Sequence, residues 1–237
     1  MPTPELWIIA GPNGAGKTTT VQKGGLAQKL SGAQFINPDA ITLEYLKEQG
    51  FQTWNDAPSD VLMKTFIRAA EDSAQHLADL IEEGGSVAVE TVLSTRKYCE
   101  VVERVLALGG DFRLIYLALN SPVLSAERVA QRALAGGHDV PAEKLGPRWH
   151  ASLELLPWFA FSATEFYMLD NSQSDKAKPG ILLISGHQNE VCLHGLPSLE
   201  MRPIISDFIT RLAAMDTEGK WRFEIEDSYL PPPEFAA

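Results

Sequence analysis

The sequence predicts an α/β fold, a mostly parallel sheet with helices on both faces. Three observations carry that reading. Five short apolar runs alternate with longer stretches of helical periodicity, the pattern of strand–helix–strand crossovers. The runs are continuously apolar rather than alternating, as strands covered on both faces are. The composition, 45% hydrophobic and 22% charged over 237 residues, describes an ordinary globular chain of one large domain or at most two.

The first run, residues 6–10 (LWIIA), precedes a glycine-rich turn. Residues 34–37, 86–89, 112–119 and 164–169 form the other four. Between the second and third, Met63, Phe66, Ile67, Ala70, Ala74, Leu77 and Ile81 recur at steps of three and four. That stripe is expected to face the core of a helix capped by Ser59 and ended by Gly84-Gly85. Val101, Val102, Val105 and Leu106 mark a further helix, ending at Gly109-Gly110. Pro122 stands where a first helical turn accepts proline, and that helix runs through Arg128 to about Leu134.

Residues 135–148 break the pattern with Gly136, Gly137, Pro141, Gly146 and Pro147 and read as a flexible lid. The core is thus expected over 1–172, with a C-terminal extension over 173–237. Within the extension, 174–180 reads as a polar linker, 181–185 and 191–194 as a hairpin, and 204–215 as a helix. An acidic tail from Trp221, ending in Pro231-Pro232-Pro233, reads as a surface extension.

Several classes are disfavoured. No apolar run approaches the ~20 residues of a membrane span. The first strand begins by Leu6, leaving no room for a signal peptide, so a cytoplasmic location is expected. Twenty basic against 31 acidic side chains give a net charge of −11, which repels a nucleic-acid backbone but leaves room for a local cationic pocket. Cys99 and Cys192, the two cysteines, supply neither a disulfide framework nor a zinc site and are expected to be reduced.

Gly11-Pro12-Asn13-Gly14-Ala15-Gly16-Lys17-Thr18 fits G-x-x-x-x-G-K-[ST], between an expected strand and an expected helix. Its glycines let successive N–H groups turn inward on phosphate oxygens, and the helix start adds a positive dipole end. Lys17 would reach the β- and γ-phosphates of ATP, and the Thr18 hydroxyl would take one position on Mg²⁺. The loop through Thr19 is therefore the expected nucleotide-binding segment.

In open parallel sheets ligands sit outside the carboxyl ends of the strands, and three polar stations fall there. Asp39, in Asn37-Pro38-Asp39, is either a helix cap or a carboxylate that takes a proton from a substrate hydroxyl. Glu90 and Thr91 end the third strand; Glu90 could hold a magnesium-bound water or bind substrate. Arg96 is either the partner of Glu90 or a substrate anchor. Asp170-Asn171 reads as an Asx-type turn, with a place near adenine as the other reading. Arg128 and Arg132, four apart, share a helix face leading into the lid. With Arg148 they could bring positive charge to a transferring phosphoryl group, and His138 reads as a lid hydrogen-bonding residue.

The segments GPNGAGKTT, FINPDAIT, VAVETVLSTRKY, RLIYLALNSPVLSAERVAQR and GGHDVPAEKL resemble the zeta-toxin family of P-loop kinases, in order and spacing, over about Leu6 to Asn171. The resemblance implies the P-loop NTPase fold of nucleoside-kinase type with a flexible lid. It implies ATP-dependent phosphorylation of a small-molecule hydroxyl, in well-studied zeta toxins the 3′-hydroxyl of UDP-N-acetylglucosamine, and a small antitoxin partner. Lys17 and Thr18 match the ATP and magnesium residues, Asp39 the catalytic aspartate, Glu90 the substrate-side glutamate, and Arg128 and Arg132 the phosphate-contacting arginines. Val92 stands where relatives often carry a hydroxyl residue, and Gly146-Pro147-Arg148 where they often carry adjacent arginines. The alternative reading is a nucleotide-dependent switch that binds a protein partner.

Overall fold

The computed structural model describes residues 2–23, 30, 32–135, 137, 140–174, 180–187, 189–219 and 221–224. Its strands are β1 (Glu5–Ala10), β2 (Gln34–Ile36), β3 (Ser86–Thr91), β4 (Asp111–Ala118), β5 (Glu165–Asp170), β6 (Ile181–His187), β7 (Glu190–Leu193) and β8 (Arg222–Glu224). Its α-helices, numbered without a short 3₁₀ turn at Arg96–Tyr98, are α1 (Lys17–Lys23), α2 (Pro38–Glu48), α3 (Ser59–Glu82) and α4 (Cys99–Ala107). They continue with α5 (Pro122–Leu134), α6 (Ala142–Ser162) and α7 (Arg202–Met215).

One eight-stranded sheet runs β2-β3-β1-β4-β5-β6-β7-β8. The first five strands are parallel, β6 and β7 follow antiparallel, and β8 is parallel to β7. The expected α/β architecture is therefore present. Period-two alternation along β1 separates the two faces. Leu6, Ile8 and Ala10 enter a core with Val87, Val89, Phe112, Leu114 and Tyr116, while Trp7 and Ile9 enter another with Ala88, Ile115 and Leu117. Both faces are covered, so the middle positions of β1, β3 and β4 are almost all apolar.

Helix α3 is present, but its buried face is rotated from the expected stripe. The buried ridge is Thr65, Ala69, Ser73, Leu77 and Ile81, whereas Met63 is 62% and Ile67 52% exposed. Two of these buried residues carry hydroxyls that bond back along the helix, Thr65 to the Val61 carbonyl at 2.9 Å and Ser73 to that of Ala69 at 2.5 Å. Each polar group is thereby satisfied, and a small residue lets the neighbouring elements come close. Hydrophobicity alone does not register such a ridge. Ser59 does not cap this helix: Pro58 is its N-cap residue and no side chain bonds the first amides.

The stretch 135–148 is mostly not a loop. Residues 142–148 are the first two turns of α6, which carries Pro147 and Pro157 inside it. Leu145, Trp149, Ser152, Leu156 and Phe159 lie on its buried side. Trp149 donates from Nε1 to the Leu119 carbonyl at 3.1 Å, and Ser152 shares a hydrogen bond with the Tyr116 hydroxyl at 2.9 Å. This packing outweighs the hydrogen bond each proline removes. Val140 is buried against Val129 and Leu145. Gly136, His138 and Asp139 lie outside the described residues, so the lid reading of those three is not addressed by the structure.

The C-terminal segment continues the same sheet. Phe166 on β5 meets Phe208 on α7 and Trp221 edge to face, with ring centroids 6.0 and 5.9 Å apart. Trp221 is 5% exposed, and the strand after it pairs with β7. The expected surface tail therefore does not start at Trp221, because an indole ring and a strand tie this point to the core; residues 225–237 lie outside the described residues. Replacing Phe166 by Ala removes the ring on which both α7 and Trp221 rest. Urea denaturation should show a loss of about 3–5 kcal/mol.

Candidate functional site: a braced loop and its carboxylates

The carboxyl ends of β1, β2 and β3 meet at one edge of the sheet, and the loop from Gly11 to Gly16 lies there. Gly11 adopts φ +144°, and a Cβ on it would stand 2.3 Å from the Leu117 carbonyl of β4. Only glycine lets the chain turn this close to the neighbouring strand.

The loop carbonyls all have partners. Those of Gly11 and Pro12 accept from Lys17 Nζ at 2.8 and 3.1 Å. Asn13 O accepts from Ser125 Oγ at 2.6 Å, Gly14 O from Arg128 Nη1 at 3.4 Å, and Ala15 O from Asn171 Nδ2 at 2.7 Å. Gly16 O accepts from the amide and the hydroxyl of Thr20, both at 2.9 Å. With the carbonyls held by other groups, the loop amides other than that of Ala15, which donates to Pro12 O at 3.1 Å, are left for an anion.

Burial pulls the Lys17 ammonium down to about pKa 8. Glu90 and Asp39 act against that shift, and Arg132 adds to it. Those influences put Lys17, Glu90, Asp39 and Arg132 in one electrostatic neighbourhood. Thr18 Oγ1 donates to Glu90 Oε2 at 3.0 Å. The other carboxylate oxygen, Oε1, is buried with no hydrogen-bond partner among the described residues. Burial is the chief cause that raises the Glu90 carboxyl above its ordinary range, with Asp39 adding to it, while Lys17 and Thr18 offset it. A hydroxyl beside a half-buried carboxylate with a spare oxygen is a hard-oxygen donor set, which fits Mg²⁺.

Asp39 is exposed near the start of α2 and does not cap it. Asn37 does, its Oδ1 accepting from the amides of Asp39 and Ala40 at 3.0 and 3.3 Å. The Asp39 carboxylate is thus left to other work. Thr91 Oγ1 accepts from the Leu93 amide at 3.1 Å and holds Leu93, fully buried, at φ +60°. Arg96 is exposed on the 3₁₀ turn. It is not the partner of Glu90, whose hydrogen bond goes to Thr18.

The two arginines of α5 separate. Arg132 is exposed and close enough to Lys17 to act on its charge. Arg128 is instead bonded to main-chain carbonyls, those of Asn171 and Gln173 at 2.7 Å each besides Gly14. Three of its five N–H donors are thereby committed to main-chain carbonyls. Arg148 sits half-buried on α6 rather than on a loop. Asp170 forms the expected Asx turn, accepting from the Ser172 amide at 2.8 Å. Ser125 and the Asn171 side chain were missed as loop contacts, since each lies more than a hundred residues from the segment it touches. No cluster of three or more His, Cys, Asp or Glu residues suited to a metal occurs among the described residues.

Solved structures show the same fold. AvrRxo1-ORF1:-ORF2 with ATP aligns at a TM-score of 0.61 and 15% identity, covering 99% of this chain and 74% of that one. A structure from the PezAT chromosomal toxin–antitoxin system of Streptococcus pneumoniae aligns at 0.55 and 15% identity, covering 90% and 87%. No curated protein matches the sequence. No helix among the described residues is long and apolar enough to cross a membrane. A family model described as an AAA domain matches residues 6–156. With this sheet order and a glycine-rich loop after its central strand, the fold is that of the P-loop NTPases, and the chain belongs to the AAA domain family.

Proposed function

We propose that the protein is an ATP-dependent phosphotransferase of zeta-toxin type, moving the γ-phosphoryl group onto a hydroxyl of a small molecule. A UDP-sugar such as UDP-N-acetylglucosamine is the leading acceptor. The observation that carries the reading is the meeting of Lys17, Thr18 and Glu90 behind the loop, with Asp39 free of capping beside them.

The loop amides and the Lys17 ammonium bind the β- and γ-phosphates and oppose the charge that builds during transfer. Thr18 and Glu90 would hold Mg²⁺, which when bound neutralises phosphate charge. Asp39 orients the acceptor hydroxyl and takes its proton as the new oxygen–phosphorus bond forms and the bond to the β-phosphate bridging oxygen breaks, leaving ADP. Arg132 approaches from the α5 side, where a second cation favours the transferring group. The acceptor meets Thr91, Val92 and Arg96 next to Glu90. Val92 donates no hydrogen bond, so Thr91 and Arg96 carry the polar recognition on that side.

The PezAT system named above is a toxin–antitoxin pair, which supports a small antitoxin as a protein partner. A nucleotide-dependent switch is the competing reading. It expects a partner whose affinity depends on the γ-phosphate, and no transfer to a small acceptor.

Incubation with Mg²⁺ and γ-labelled ATP should place label in UDP-N-acetylglucosamine. Asp39→Asn should lower that transfer by about 10²–10⁴-fold with ATP affinity retained, and Lys17→Ala should lose both. Transfer unchanged in Asp39→Asn would remove the base from the mechanism.

The depressed Lys17 pKa gives a second check. Below about pH 8 the ammonium is already charged, so ATP binding draws no proton to it. Above that value the neutral amine must pick one up to face the phosphates. Calorimetry in magnesium-free buffers of different ionisation enthalpy should show greater net proton uptake on ATP binding at pH 8.5 than at pH 6.5.

A further inference from the structure

Three side chains that the phosphate-binding motif does not contain bond the loop carbonyls, Arg128 at 3.4 Å and, more tightly, Ser125 and Asn171. Ser125 is fully buried on α5 and donates to Asn13 O. Asn171 follows β5 and donates to Ala15 O. A trans peptide is planar, so fixing the carbonyl of one residue fixes the N–H of the next in the opposite direction. Holding Asn13 O and Ala15 O outward therefore turns the Gly14 and Gly16 amides inward.

The position of Asn171 is itself constrained. A Cβ on Gly16 would lie 2.7 Å from Asn171 Nδ2, so the amide rests directly on the loop backbone. Arg128 closes the arrangement by bonding the carbonyls of Asn171 and Gln173, which ties the end of β5 to α5. Helix α5 and the end of β5 are thus locked to each other as well as to the loop.

We infer that Asn171 and Ser125 are positioning residues for phosphate binding, acting through the loop amides and touching no nucleotide themselves. The inference rests on the loop being the phosphate site of the proposed phosphotransferase, and it does not depend on the acceptor or on transfer. It gives Asn171 a role different from a place near adenine.

Inorganic tripolyphosphate separates the two roles, because it carries phosphates and no base. Its affinity and that of ATP would be measured by calorimetry for the full chain, Asn171→Ala, Ser125→Ala and the double variant. Each single change removes one hydrogen bond and should weaken both ligands by the same factor, about fivefold. The double variant should lose about 25-fold if the two contacts act independently. Ser125→Ala nearly conserves volume, so it keeps the test open if Asn171→Ala fails to fold. Thermal unfolding of each variant checks that a folded protein is being titrated, and a folded variant with an unaltered loop would leave tripolyphosphate affinity where it was. ATP weakened with tripolyphosphate unchanged would mean that Asn171 meets the base, and would overturn the inference; so would no change in either ligand. Tripolyphosphate binding that depends on both residues, in a protein that transfers no phosphoryl group, would sustain the inference and sink the phosphotransferase reading.

Discussion

A loop that offers its amides to an anion must send its carbonyls somewhere else. In this protein they go to Lys17, Ser125, Arg128, Asn171 and Thr20, drawn from α1, α5 and the end of β5. The sheet order makes this supply feasible. Strand β1 lies between β3 and β4, with β5 one strand further, so the loop leaving β1 is met by side chains of α5, which follows β4, and of the end of β5, while Glu90 on β3 meets Thr18 behind it. Much of the fold serves to bring these donors to one edge. The buried strands set the edge, and α5 packs there because Leu124 and Ser125 reach the sheet and the loop.

The same edge resolves an electrostatic conflict. The chain carries −11 overall, yet its candidate site needs cations to face phosphates. The solution is local. Lys17 is drawn partly out of water, which weakens its hold on a proton, and Glu90 and Asp39 restore part of it. Glu90 is half-buried in turn, and it is balanced by Lys17 and the Thr18 hydroxyl. Each group is costly alone in this setting and tolerable in company, so cation and carboxylates depend on being placed together. A long-range negative field and locally placed cations can coexist because solvent screens the first over about a Debye length and reaches the second poorly.

Much of this was legible in the sequence. The five parallel strands, the α5 span beginning at Pro122, the hairpin and α7 all follow from apolar runs, proline position and helical spacing. The loop residues, Glu90 and Asp39 were legible because local spacing and strand ends mark them. The exceptions share a cause. The face of α3 was misplaced because Thr65, Ala69 and Ser73 bury small or self-satisfied residues that hydrophobicity underrates. Helix α6 was missed because Gly146 and Pro147 read as breakers, while the partners that hold it, Leu119 and Tyr116, lie on another element. Trp221 read as tail until its ring met Phe166.

The sequence by itself determined the strand–helix alternation, the glycine-rich loop and the carboxylates Glu90, near the end of β3, and Asp39, at the start of α2. These are short-range properties, written in periodicity and in the fixed geometry of a few residues. Only the tertiary structure decided which side chains brace that loop. Arg128 and Arg132 are indistinguishable in spacing, yet one bonds three main-chain carbonyls and the other stands exposed near Lys17. Asn171 reaches a carbonyl 156 residues away. Such pairings depend on how the strands are ordered across the sheet, and strand order is a property of the whole packed chain rather than of any one segment.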